Sequence, residues 1–242
     1  MEIRYILSSV ALASLSLTSC SDLDTAPEGN IITSDKKGEI LEEMPERGLA
    51  GVRAIFQGLS AYEPNYEAFG KIERHNDIGY PSVLMFTDAN TEDVVSDPNG
   101  YNWNENSLDY SDRTYTSYES QMVWNDHYNA IYVANTVIKG YNTGEDPTNE
   151  EARFFYAQGL AARAYFYFNL AQLYQFTYKD NETKPCIPVV TDENTAKSQV
   201  EGTPCSTVEE TYTQIKSDID HAITLLEGTS YEREDKRYIS LA

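Results

Sequence analysis

The sequence predicts an all-α fold in which helix pairs are separated by long irregular loops. Three observations predict it. Apolar residues recur at spacings of three and four in separate stretches, the signature of amphipathic helices. Thr148-Asn149-Glu150-Glu151 and Ser206-Thr207-Val208-Glu209 read as capping boxes opening two of those helices. The stretch from Tyr62 to Ser120 is rich in Asn, Asp, Gly and Tyr and keeps no long period, which reads as loops with short helical or extended pieces.

In chain order, Ile3 to Leu17 is a short apolar stretch that ends in Leu17-Thr18-Ser19-Cys20 and turns polar at Ser21-Asp22. Its core, Ile6 to Leu17, is too short to cross a bilayer, which needs roughly 20 residues. It reads as a secretory signal peptide over residues 1–19. A cysteine directly after Leu-x-small is the case in which the thiol takes lipid and becomes the mature N-terminus. An ordinary signal peptide that contains a cysteine is the competing reading; the abrupt change in composition at Cys20 favours lipidation. Residues 20–33, with Pro27 and Gly29 as breakers, form an extended tether.

The helical domain then spans 34–242. Ser34 caps a short helix, Asp35 to Met44, which Pro45 ends, and Pro45 suits the first turn of a second helix. There Leu49, Val52, Ile55, Phe56 and Leu59 form a stripe. From Gln121 the spacing of Trp124, Tyr128, Ile131, Asn135 and Ile138 marks a helix that Gly140 ends. Thr148 and Glu151 open a helix to about Phe176. It is apolar on nearly every face, through Phe154, Phe155, Leu160, Phe166, Phe168, Leu170 and Leu173, and is therefore expected to be buried between others. Ala157, Gly159, Ala161, Ala162 and Ala164 allow close approach of its neighbours, and Arg163 with Asn169 rules out a lipid-facing span. Lys184 to Thr191 reads as an extended connection. Val208, Tyr212, Ile215, Ile219, Ala222 and Leu226 line a last helix face. Two antiparallel helices, a long connection and a third helix follow the tetratricopeptide-like logic of stacked pairs, without the strict repeat. Lys236 to Ala242 reads as the first turns of a further helix, so the domain is expected to be incomplete at its C-terminus.

Composition narrows the function. Removing the first 19 of 242 residues leaves 223, enough to bury a core without a disulfide scaffold. The 39 acids against 18 Lys plus Arg give a net charge of −21, which argues against nucleic acid as a partner and against adhesion to anionic lipid. Membrane attachment comes through Cys20. Cys186 and Cys205 flank one loop in an oxidising compartment; a bridge between them and two separate thiols both fit.

The lipobox, Trp124-Asn125-Asp126-His127-Tyr128-Asn129-Ala130-Ile131 with Ala134-Asn135, Glu151-Ala152-Arg153 through Arg163-Ala164-Tyr165-Phe166-Tyr167-Phe168, Ile187-Pro188-Val189-Val190 and Ser206 to Tyr212 occur in an order that resembles the SusD/RagB family. The resemblance implies a tetratricopeptide-like lipoprotein of the outer membrane, facing the cell exterior. Such a protein captures oligosaccharide or polysaccharide for a SusC-type TonB-dependent transporter. Members of that family continue well past residue 242.

For ligand contact, residues 101–118 hold five aromatics in 18 positions, where the chain average of 12% gives about two. Sugar rings stack their apolar faces on Trp or Tyr, and Asn amides both donate to and accept from hydroxyls. Tyr101, Trp103 and Asn104 are the candidate glycan contacts, and the resemblance matches Trp103 to an aromatic sugar contact. Packing of these tyrosines onto the scaffold is the bland alternative. Trp124 reads as core and Asn135 as a satisfied buried amide. His75, His127 and His221 are isolated, so no metal site is expected. Asp88, Glu92, Asp93 and Asp97 read as a solvated loop. No nucleophile elbow, phosphate loop or dinucleotide fingerprint is present, so no cofactor and no catalysis are expected. A helical scaffold for peptide or protein, or a truncated fragment without function, competes with glycan capture. A glycoside hydrolase would need two acids roughly 5–10 Å apart across a cleft.

Overall fold

Among the described residues of the computed structural model, eight helices follow one another: α1 Ser34–Glu43, α2 Gly48–Gly58, α3 Tyr80–Ala89, α4 Glu105–Leu108, α5 Tyr118–Tyr141, α6 Glu150–Tyr174, α7 Thr195–Glu201 and α8 Val208–Leu226. The structure describes residues 34–44, 47–58, 77, 79–95, 102 and 104–228. The signal peptide, the tether with Cys20, and Pro45 lie outside them. Within them the sole pairing of extended backbone is an isolated antiparallel bridge between Pro185 and Thr207, so the class is all-α. No described helix is long and apolar enough to cross a membrane.

α6 is the central rod, packed on α5, on α8 and on α2. Phe155, Leu160, Phe166, Tyr167 and Leu170 of α6 share one core with Ile131, Ala134 and Ile138 of α5, Val52 and Ile55 of α2, and Val208, Ile215 and Leu225 of α8. Full burial of one such side chain is worth roughly 1.5–3 kcal/mol. Small residues set the spacing, as the sequence suggests. A Cβ placed on Gly159 would sit 3.1 Å from Ile138 Cγ1 and 3.2 Å from Val137 Cγ1, so α5 and α6 meet there at near contact.

Both long C-terminal helices start one residue later than their motifs suggest. Asn149, not Thr148, caps α6: its Oδ1 accepts from the backbone N–H groups of Glu151 and Ala152 at 2.9 and 3.1 Å. The capping box of α8 is real but runs from Thr207 to Glu210. Thr207 Oγ1 accepts from Glu210 N at 3.1 Å, and Thr207 N donates to Glu210 Oε2 at 2.7 Å. In each case two adjacent residues were competent caps, and the one that takes the role holds extended backbone dihedrals. α5 also begins earlier than expected, at Tyr118, because Ser117 caps it by accepting from Ser120 N at 3.0 Å.

Two expected faces differ from those observed. α6 is not buried all round: Tyr165, Phe168 and Leu173 are 39–47% exposed, with Tyr165 meeting the edge of Tyr80 of α3 and Phe168 the edge of Tyr212 of α8. On α8 the buried line is Val208, Thr211, Ile215, Asp218, Ala222 and Leu225, whereas Ile219 is 42% exposed. The helix is rotated about its axis so that a carboxylate, Asp218, points inward.

The reason is a buried ionic network. Arg163 of α6 donates from Nε and Nη2 to the two carboxylate oxygens of Asp218 at 2.8 and 2.7 Å. Its Nη1 donates to Asn135 Oδ1 at 2.8 Å and to Asp192 Oδ1 at 2.9 Å. Asn142 Nδ2 donates to the other oxygen of Asp192 at 3.0 Å, and Gln214 Nε2 to Asp218 Oδ1 at 2.9 Å. Burial alone would lower the guanidinium pKa, but the hydrogen bonds and charge of Asp218, then of Asp192, outweigh it and raise it. The network ties α5, α6 and α8 to the 184–194 connection. That connection is pinned as well by Tyr128 OH donating to Pro188 O at 2.7 Å and Tyr167 OH donating to Val190 O at 2.6 Å.

Candidate functional site

Among the candidate contacts, Tyr101 and Trp103 lie outside the described residues. Asn102, between them in sequence, is exposed with φ 51°, a left-handed conformation that asparagine tolerates better than most residues. Its carbonyl accepts from Glu105 N at 3.1 Å, which closes a turn into α4. Asn104 sits at the start of this single-turn helix, with its backbone carbonyl accepting from Ser107 N and Leu108 N at 3.1 and 3.0 Å. Its side chain caps nothing and makes no hydrogen bond among the described residues. The half-buried carboxamide keeps both its donors and its acceptor.

The turn that presents Asn104 is anchored from below. Ser107 Oγ donates to the buried Asp112 at 2.6 Å, and Asn90 Nδ2 donates to the same oxygen at 2.9 Å. Arg113 donates from Nε to Asn90 Oδ1 at 2.9 Å and from Nη2 to Asn90 O at 3.0 Å, closing the loop onto the end of α3. Asn106 Nδ2 reaches Glu119 of α5 at 3.1 Å. An anchored loop of this kind holds its exposed groups in fixed positions, as a binding surface requires.

The aromatics of this loop divide by role. Tyr110, with φ 64°, is 49% exposed and carries the Arg113 guanidinium 4.0 Å above its ring. Tyr115 is 97% exposed. Tyr118 turns inward instead. It is 9% exposed, packs with Val83, Phe86, Met122 and Val123, and donates its hydroxyl to Asp77 at 3.4 Å. Burial holds Asp77 above the ordinary carboxylate range, opposed by the Gly79 N–H and the Tyr118 hydroxyl. Among its described residues the cluster thus supplies two exposed rings and one core ring.

The remaining polar candidates sort readily. Trp124 is partly buried at the edge of the main core, its ring 4.7 Å from Tyr128 and 5.1 Å from Tyr174. Asn135 is a satisfied buried amide, accepting from Arg163 and donating to Val190 O at 2.8 Å. His127 is fully buried beside Phe166, and His221 pairs with Asp146 at 2.8 Å. His75 and Asp97 lie outside the described residues; Asp88, Glu92 and Asp93 are exposed, and no metal-ligating cluster occurs among the described residues. Cys186 is buried and Cys205 exposed, and both are free thiols. Sequence reasoning missed the Arg163 network, although an arginine and an asparagine on two apolar helices were a signal that acids must meet them.

A SusD-like family model, described as starch-binding associating with outer membrane, matches residues 78–242. No match is found among curated proteins. The chain is similar to the crystal structure of a SusD-like carbohydrate binding protein from Bacteroides vulgatus ATCC 8482, with TM-score 0.65, 23% identity, and coverage of 81% of this chain and 38% of that one. It also matches a SusD superfamily protein from Bacteroides thetaiotaomicron VPI-5482, with TM-score 0.44, 16% identity, and coverage of 74% and 37%. The chain thus spans under two fifths of the length of these solved relatives. The first likeness shows the fold, and the family model covers well over half of the sequence: the chain belongs to the SusD-like family.

Proposed function

We propose that this chain captures oligosaccharide at the outer face of the outer membrane and hands it to a SusC-type TonB-dependent transporter. The observation that carries the reading is the family match over residues 78–242, whose description joins starch binding to the outer membrane. The 104–118 loop supports it: the same anchored stretch carries an Asn104 carboxamide with no hydrogen bond among the described residues and the exposed rings of Tyr110 and Tyr115. Such a surface offers stacking faces and amide groups suited to a neutral sugar, and Tyr101 and Trp103 are its proposed aromatic contacts. Met1 to Ser19 would be removed as a signal peptide, Cys20 would carry the lipid, and residues 20–33 would tether the helical domain. The role is binding without catalysis, so capture leaves the glycan uncleaved.

Two measurements test this. Calorimetry of the whole lipoprotein against a panel of neutral oligosaccharides should show binding and no reducing-end release; absence of binding across the panel overturns capture. Feeding cells an alkyne fatty acid should tag the wild type and not Cys20→Ala, and equal tagging overturns the anchor.

A further inference from the structure

A cavity of about 240 Å³ opens between α1, α5 and α7, with Lys37, Lys139, Tyr132, Gln199, Asn135 and Asp192 in its wall. We propose that it binds a small carboxylate-bearing polyol, the size of one acidic sugar unit. It involves none of Tyr101, Trp103 or Asn104 and does not rest on the glycan reading of that loop.

The hydrogen-bond accounts of the wall leave mainly positive donors to spend. Both oxygens of Asp192 already have a donor, one accepting from Arg163, whose guanidinium pairs its charge, and the other from Asn142. Asn135 is spent on Arg163 and Val190, and Thr136 Oγ1 donates to Tyr132 O at 3.0 Å. What remains is Lys37, with one bond to Thr136 O at 3.0 Å, together with Lys139, the Tyr132 hydroxyl and the Gln199 carboxamide. Neither lysine forms an ion pair among the described residues, in a chain that carries 39 acids against 18 Lys plus Arg. Two ammonium groups facing one cavity repel each other, and an anion between them removes that repulsion.

Lys37 is also positioned. The Lys37 stem passes over Gly140, where an added Cβ would lie in ordinary contact with it, 3.4 Å from its Cε and 3.8 Å from its Nζ. Burial first, and then the charge of Lys139, lower the Lys37 pKa, as expected for an ammonium held without a counter-ion. Around this charge, Tyr132 is 47% exposed and offers a ring face, and Gln199 offers an amide for hydroxyl groups. The volume is below the roughly 300–1,000 Å³ of sites for drug-sized ligands, which limits the occupant to about one ring.

The test titrates the full chain at low salt with glucuronate and galacturonate, with glucose and galactose, and with acetate, following binding by NMR. The uronates should bind at least tenfold more tightly than either neutral sugar and than acetate. Lys139→Gln, a change at an exposed side chain, should weaken uronate binding at least fivefold with the melting temperature unchanged, and Lys37→Gln should do the same. Neutral sugars binding as well as uronates, acetate binding as well as uronates, or uronate binding indifferent to Lys139→Gln each overturns the proposal. Neutral oligosaccharide binding measured on the same samples reports separately on the 104–118 loop.

Discussion

Arg163→Met keeps most of the side chain's length and removes the guanidinium that joins four parts of the fold. Arg163, Asp192 and Asp218 are 4%, 8% and 3% exposed, so water cannot replace the lost donors. Asp218 would retain only Gln214 and Asp192 only Asn142. Removing one partner of a buried ion pair costs roughly 3–5 kcal/mol, and here two carboxylates are stranded, which places the loss near about 5 kcal/mol. With about 2–4 °C of melting temperature per kcal/mol for a chain of this size, the drop should be roughly 10–20 °C. Urea and thermal unfolding followed by circular dichroism at pH 7 measure it. The companion variant Arg163→Met with Asp192→Asn and Asp218→Asn removes the stranded charges and should recover at least half of the loss. Arg163→Met within about 1 kcal/mol of wild type, or no recovery in the triple variant, refutes the reasoning.

A second perturbation acts on the approach of α2 to α5. A Cβ on Gly48 would fall 1.6 Å from Tyr141 Oη and 2.8 Å from Phe155 Cδ2. Gly48→Ala should therefore cost about 1–3 kcal/mol in urea unfolding. Tyr141→Phe should be neutral or stabilising, because its buried hydroxyl has no hydrogen-bond partner among the described residues, and in combination it should return part of the Gly48→Ala loss. Asp77 gives a pH-dependent test. Burial raises its folded-state pKa, so the folded chain holds this proton more tightly than the unfolded one, whose value is near about 3.9. The stability it contributes is full in acid and is lost as pH rises through the folded pKa. Asp77→Asn does not titrate there, so its stability relative to wild type should rise from acid to neutral pH; a constant difference contradicts the assignment.

Much of the helical scaffold was legible because α5 and α8 carry long periodic patterns and α6 a long apolar run behind a cap signal, and helix identity needs only such a signal. Their exact starts were not, since Thr148 beside Asn149 and Ser206 beside Thr207 are equally good cap types in sequence. α3 was hidden by its shortness and by its Asn- and Asp-rich surroundings, even though Pro81 in its first turn is a start signal. The inward face of α8 was misplaced because a sequence pattern puts Asp218 outside and Ile219 inside. The partner that reverses this, Arg163, is 55 residues away and is brought there by the fold. In the candidate loop, composition identified the aromatic concentration but not direction: Tyr115 faces solvent and Tyr118 the core, three residues apart.

The central claim, that this chain holds a glycan on an aromatic platform, is tested most directly by calorimetry of Trp103→Ala against the neutral oligosaccharide that the wild type binds, with Trp124→Ala alongside. A few aromatic anchors usually dominate recognition, so Trp103→Ala should lose roughly 2 kcal/mol or more, about thirtyfold in affinity. Its melting temperature should stay within a degree or two of wild type, about 0.5 kcal/mol. Trp124, packed between Tyr128 and Tyr174, should instead lower stability when replaced by alanine. Wild-type affinity in Trp103→Ala, or loss of binding that merely follows unfolding, contradicts the account.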